Sequence, residues 1–306
     1  MTDFLGSVAI VGLGSMGLGM AKTLVDAGWD VAGCDLSKTA KRQLQEAGGQ
    51  VFDTPALAAE NRNAVISVVV NARQTEAILF GENGMADVLQ AGDVFVSCAT
   101  MMAGDAEKMA ARLLQQGVHY LDAPISGGSI KAASGDLSIM ASGSPEAFAA
   151  ADPVLAVLAD KIYRLGDKVG TGASVKMINQ LLAGVHIAAA SEAMALAAKM
   201  DLDLERVYEV ITGSAGNSWM FENRVPHIIQ GDYTPHSSVE IFVKDLGIVQ
   251  DIARTERFPA PIAAAALQMY LASAGAGMGG DDDASVARLY AQISGAKLPA
   301  RTDKVE

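Results

Sequence analysis

At 306 residues the chain is longer than a single hydrophobic core usually grows, which predicts two domains. Half of it is hydrophobic, and 35 acidic residues against 23 Lys and Arg give a formal charge of -12. That balance repels phosphate backbones and anionic lipid alike, which excludes nucleic acid and membrane surfaces as partners but not an anionic small molecule held by a local cation.

Short β-rich runs at 8–11, 31–35, 65–70, 94–98 and 120–123 predict strands, with helical stretches such as 16–27 and 38–47 between them. Continuous apolar strands separated by helices predict a parallel sheet covered on both faces. The runs at 138–142 and 162–165 are expected to extend that sheet. After the glycine-rich GDKVGTG at 166–172 the chain becomes rich in Ala, Leu and Met with helical spacing. This predicts a boundary between a domain at 1–166 and an all-helical domain at 167–306, which opens with a long helix over about 174–200. Lys176, Gln180, His186, Glu192 and Lys199 interrupt that apolar run, so it reads as a buried helix and not a membrane span. The acidic tract 281–283 and the tail after Pro299 read as solvated or mobile surface.

The only cysteines, Cys34 and Cys98, make neither a disulfide framework nor a metal-ligand spacing, so no metal is expected and a reducing cytoplasm fits. No basic segment followed by an apolar signal core opens the sequence.

The first strand runs into GLGSMG, residues 12–17, a G-x-G-x-x-G at a strand-to-helix turn. Gly12 permits the tight turn, Gly14 lets the backbone approach a pyrophosphate, and Gly17 lets helix pack against strand. Leu13, Ser15 and Met16 line the same turn beside the positive end of a helix. Asp35 follows Gly17 by eighteen residues at the end of the second strand. A carboxylate there accepts hydrogen bonds from ribose hydroxyls and repels a 2′-phosphate, which favours NAD over NADP, although Lys38 works against that selectivity.

Three further stretches suit hydride-transfer chemistry, where the protein supplies substrate orientation and a proton acceptor. In DAPISGG, 122–128, the Ser126 hydroxyl and the backbone of Gly127 and Gly128 could hold a carboxylate, or form only a turn. Lys176 falls within the first turn of the expected long helix, with Asn179 and Gln180 on the same face at i+3 and i+4. Burial, a helix N-terminus and a positive nicotinamide would each lower its pKa toward a working base, whereas taken alone it reads as a surface lysine. In FVKDL, 242–246, Lys244 beside Asp245 reads most simply as a solvated ion pair.

Taken in order, GLGSMG, DAPISGGSIKAASGDLSIMASG, GTGASVKMINQ and VKDL resemble the β-hydroxyacid dehydrogenase family, across nearly the whole chain. The resemblance implies a Rossmann-type N-terminal domain with a mainly parallel sheet and an all-α C-terminal domain, joined through a long helix that delivers a catalytic lysine to an interdomain cleft. It makes Lys176 the general acid/base and Ser126, Gly127 and Gly128 the substrate carboxylate anchor. It also places Thr100 near the nicotinamide and Lys244 on the cofactor side. Some relatives carry Asn-Asn where this chain has Asn179 and Gln180, so either could orient the substrate hydroxyl, with Asn179 favoured. SCATMMAGDA departs from the Ser-Thr-Pro of many relatives, which predicts a differently shaped loop. The stretches 176–197 and 213–224 look most like members that oxidise a C4 sugar acid at C2. Asn217, Ser218, Trp219, Met220 and Asn223 become the specificity wall, and His186 a packed histidine. Members acting on 3-hydroxy acids are the rivals in the same family, and a non-catalytic NAD-binding module is the rival outside it. The Ala- and Leu-rich helical domain predicts a homo-dimer or homo-tetramer.

Overall fold

In the computed structural model, which describes residues 4–301, the chain divides into two compact units, one running to Lys176 and one starting at Met177. The first opens with β1 (Ser7–Val11), α1 (Gly17–Asp26), β2 (Asp30–Cys34), α2 (Lys38–Glu46), β3 (Gln50–Phe52) and α3 (Pro55–Ala59). It continues with β4 (Ala64–Ser67), α4 (Ala72–Phe80), β5 (Val94–Ser97), α5 (Ala103–Leu114) and β6 (His119–Asp122). These six strands form one sheet in the order β3-β2-β1-β4-β5-β6, and each pairing is parallel. Alternation along β1 explains why both faces are covered: Val8 and Ile10 pack into one core, Ala9 and Val11 into another. The order reverses between β1 and β4, and the G-x-G-x-x-G turn leaves β1 at that point, where ligands of doubly wound folds bind.

The expected extension of this sheet does not occur. The runs near 138–142 and 162–165 belong to a second, three-stranded sheet of β7 (Ile125–Ser126), β8 (Leu137–Ala141) and β9 (Ala159–Arg164), with α6 (Gly128–Ser134) and α7 (Pro145–Leu158) between its strands. Pro124 follows β6 without an amide hydrogen to donate, and one isolated bridge, Asp122 with Ser142, links the two sheets.

The long helix α8 (Thr171–Lys199) starts three residues earlier than expected, and it crosses from the first unit into the second. Length and composition alone would suit a membrane span, but half of its most apolar window is buried within the fold, and so are its Lys176 and Gln180. Beyond it lie α9 (Leu204–Thr212), α10 (Trp219–Gln230), α11 (Val239–Thr255), α12 (Pro261–Ser273) and α13 (Val286–Ser294). In this unit α8 packs closely on α11, because a side chain at Gly184 would stand 2.9 Å from the Phe242 ring, and the Tyr270 hydroxyl donates to the Gly184 carbonyl at 2.9 Å.

Only Asp281 of the acidic tract is partly solvated, as expected. Asp282 and Asp283 are fully buried, because Asp283 accepts two bonds from the Arg224 guanidinium, at 2.6 and 3.2 Å, and Asp282 lies 3.0 Å from His227 Nδ1. Pro299 to Arg301 are exposed, and the remainder of the tail lies outside the described residues.

Candidate active site

The glycine turn admits no side chain at Gly12 or Gly17. Gly12 sits at φ +98°, and a Cβ there would meet the Val68 carbonyl at 2.5 Å. A Cβ at Gly17 would reach the Gly12 carbonyl at 1.9 Å, so α1 can lie on β1 only with glycine in that place. Gly14 differs, since nothing lies within 4 Å of where its Cβ would be and its backbone faces open space. Helix α1 has no side-chain cap at Met16 and no acidic residue in its first turn, so its positive end is left to an outside anion. Leu13 is an exception within the turn: its amide donates to Asp35 Oδ2 at 2.6 Å, and the Ser37 amide donates to Oδ1 at 2.6 Å. Asp35 thus ties the glycine turn to the end of β2 while remaining half-exposed. These residues fit a dinucleotide: an open backbone cradle for the pyrophosphate and a carboxylate at the neighbouring strand end for the ribose. Thr100 stands half-buried in the loop after β5.

The Lys176 site rests on the start of β7. Lys176 is buried, not the surface lysine that its sequence position alone suggests, and its Nζ donates to the Ile125 carbonyl at 2.8 Å. With α8 starting at Thr171, the lysine belongs to the second turn and not the first. Ser126, Gly127 and Gly128 follow Ile125 directly, so lysine and proposed carboxylate anchor meet on one segment. Gly127 has φ +136° and Gly128 +74°, and the Lys131 stem covers Gly127 so tightly that a Cβ would stand 2.8 Å from its Cδ.

Asn179 and Gln180, one turn further along α8, form a polar chain within the second unit. Asn179 Nδ2 donates to Gln180 Oε1 at 3.0 Å, Gln180 Nε2 donates to Asp245 Oδ2 at 2.5 Å, and Lys244 Nζ pairs with Asp245 Oδ1 at 2.8 Å. The Lys244–Asp245 pair is therefore not the solvated one expected, for Asp245 is 1% exposed. Both ends of the Gln180 amide are engaged, and the carbonyl oxygen of half-buried Asn179 is turned to no protein donor among the described residues.

Most of the residues of the expected specificity wall also make structural contacts. Ser218 caps α10 through the Phe221 amide at 3.0 Å, Asn217 bonds the Thr212 carbonyl and Glu222, and Asn223 accepts from Arg224. Met220 packs into the helical core, whereas Trp219 is exposed at the start of α10. His186 is partly buried, as a packed histidine would be.

Sequence reasoning missed Asp122 and Ser142. Asp122 Oδ2 accepts the amides of Gly170 at 3.0 Å and Ala173 at 2.8 Å, and the Ser142 hydroxyl accepts the Gly172 amide at 2.9 Å. Burial pushes the Asp122 carboxyl up to about 6 against the pull of these donors. Its one sequence signal, an Asp at a strand end before a proline, does not name partners about 50 residues away.

Residues 7–166 match the family model described as the NAD binding domain of 6-phosphogluconate dehydrogenase, and residues 170–290 match that of the NAD-binding of NADP-dependent 3-hydroxyisobutyrate dehydrogenase. The chain is 50% identical over 297 residues to an L-threonate dehydrogenase of Cupriavidus necator, covering 97% of this chain and 99% of that one. The crystal structure of a 3-hydroxyisobutyrate dehydrogenase from Salmonella typhimurium is similar at 46% identity and a TM-score of 0.89, over 94% of this chain and all of that one. A Mycobacterium tuberculosis 3-hydroxyisobutyrate dehydrogenase solved with L-serine is similar at 28% identity and a TM-score of 0.80, over 94% of this chain and 99% of that one.

Proposed function

The chain belongs to the 3-hydroxyisobutyrate dehydrogenase-like family of NAD-dependent β-hydroxyacid oxidoreductases, and from that premise we propose that it oxidises L-threonate at its C2 hydroxyl, with Lys176 as the base. The substrate assignment rests on half-identity to an L-threonate dehydrogenase over 97% of this chain. The base assignment rests on one observation, a buried lysine held 2.8 Å from the Ile125 carbonyl beside Ser126, Gly127 and Gly128.

Bound NAD supplies the hydride acceptor. Gly12, Leu13, Gly14, Ser15, Met16 and Gly17 would hold its pyrophosphate and Asp35 its ribose, with Thr100 and Lys244 completing the cofactor contacts. Ser126, Gly127 and Gly128 receive the substrate carboxylate, while Trp219 and the segment around it bound the far end of the acid. Neutral Lys176 takes the proton of the C2 hydroxyl, a transfer worth on the order of 10²–10⁴-fold. Asn179 holds the hydroxyl in line and Gln180, clamped by Asp245, holds Asn179, which supports Asn179 over Gln180 as the group facing substrate. Residues 1–166 then serve the dinucleotide and 167–306 the substrate and self-association. Exposed Ile178, Leu182 and Leu196 on α8 support a homo-dimer or homo-tetramer, and two free buried thiols support a cytoplasmic setting.

Lys176→Ala tests the assignment. Turnover should fall by about 10²-fold or more, with the dissociation constant for NAD nearly unchanged. Loss of NAD affinity in proportion to activity would place Lys176 on the cofactor instead.

A further inference from the structure

We infer that Asp122 is a positioning residue for this reaction: with Ser142 it fastens the first turn of α8 and so fixes where Lys176 stands. The inference rests on the reading of Lys176 as the base.

The first amides of a helix have no partner within it, and a nearby side chain usually satisfies them. Here the partners come from two strands. Asp122 at the end of β6 takes the Gly170 and Ala173 amides, and Ser142 just after β8 takes the Gly172 amide. The Ser142 hydroxyl donates to Asp122 Oδ2 at 3.3 Å, and the two residues exchange backbone bonds at 3.0 and 2.8 Å, so the two acceptors form one rigid unit. The helix reaches them only because position 172 is glycine, where a Cβ would stand 2.3 Å from the Met140 carbonyl.

Three residues beyond Asp122, the Ile125 carbonyl holds the lysine Nζ. One short segment therefore grips α8 twice, at its N-terminus through Asp122 and at Lys176 through Ile125, and then continues into the Ser126–Gly128 anchor. Displacing the helix start displaces the base relative to the carboxylate anchor, and errors near 1 Å cost on the order of 10²-fold in rate. The carboxylate also opposes the positive end of the helix dipole beneath the lysine. Asp122 in turn acts on two other titratable groups, the Cys98 thiol after β5 and the Tyr120 phenol on β6; burial raises both, Cys98 to about 12, so neither carries charge in the working range.

The test compares Asp122→Asn and Ser142→Ala with the natural enzyme in L-threonate oxidation, alongside Lys176→Ala. Asp122→Asn should lower kcat by about 10–100-fold with KM for NAD within about twofold. It should also move the lysine-dependent limb of kcat/KM toward lower pH by about half a unit, because the helix end is no longer offset. Ser142→Ala keeps the carboxylate, so kcat should fall by only a few-fold, about the loss of one hydrogen bond, with the limb unmoved. Natural kcat and an unmoved limb in folded Asp122→Asn, with Lys176→Ala inactive, would overturn the role of Asp122 alone. An active Lys176→Ala would overturn the reading beneath it. Should Asp122→Asn not fold, Ser142→Ala decides, and an unchanged kcat there rejects the proposal.

Discussion

At the scale of single residues, carboxylates do the positioning. Asp35 accepts the Leu13 and Ser37 amides and so shapes the turn it flanks, and in the proposed function it also reads the cofactor ribose. A 2′-phosphate there would meet this negative charge. Asp35→Ala should therefore lower the NAD-to-NADP ratio of kcat/KM by about tenfold, the worth of one charge-assisted hydrogen bond. An unchanged ratio would assign ribose reading to another group. Asp283 acts in a different way, as the buried partner of Arg224. Asp283→Ala leaves a guanidinium unpaired in the core, which costs about 3–5 kcal/mol, measurable as a drop in the unfolding midpoint; a smaller loss than that of an exposed pair would contradict the ion-pair account.

Among elements, the glycine turn separates two uses of the same residue type. Gly17→Ala forces a Cβ into the Gly12 carbonyl, whereas Gly14→Ala places one in open space. The first should lower the melting temperature; the second should leave it within ~2 °C while raising KM for NAD, since only the cofactor needs that space. Equal effects on stability would mean that the cradle is not open. This contrast was legible in the sequence, because G-x-G-x-x-G lies between an apolar strand and a helix and each glycine has a distinct steric reason. The strands of the six-stranded sheet were legible too wherever apolar runs were continuous, but not β3, whose Gln50 is exposed and whose Val51 and Phe52 are only partly buried. The second sheet was misplaced because periodicity cannot tell which sheet a strand joins. The tract at 281–283 looked solvated because its partners Arg224 and His227 lie 55–59 residues away. Asp122 escaped notice for the same reason, since nothing local identifies the amides of 170 and 173 as its donors.

For the molecule as a whole, a net charge of -12 coexists with local positive groups along the glycine turn and the DAPISGG segment. Lys176 is buried against the DAPISGG segment, Lys131 covers Gly127, and the positive end of α1 lacks an acidic neighbour. Composition could not reveal this arrangement, which depends on burial. The family fixes hydride transfer from a hydroxy acid, and the identity of that acid is the central claim. The direct measurement is the initial rate of NADH formation by the purified protein at mildly alkaline pH with L-threonate, D-threonate, the erythronates, 3-hydroxyisobutyrate and glycerate. The expected result is the highest kcat/KM for L-threonate, by about tenfold or more over the other acids, as expected where a site hydrogen-bonds hydroxyls that its competitors lack or misplace. Turnover of 3-hydroxyisobutyrate or glycerate in preference to L-threonate would contradict it, leaving the fold and the dinucleotide cradle in place.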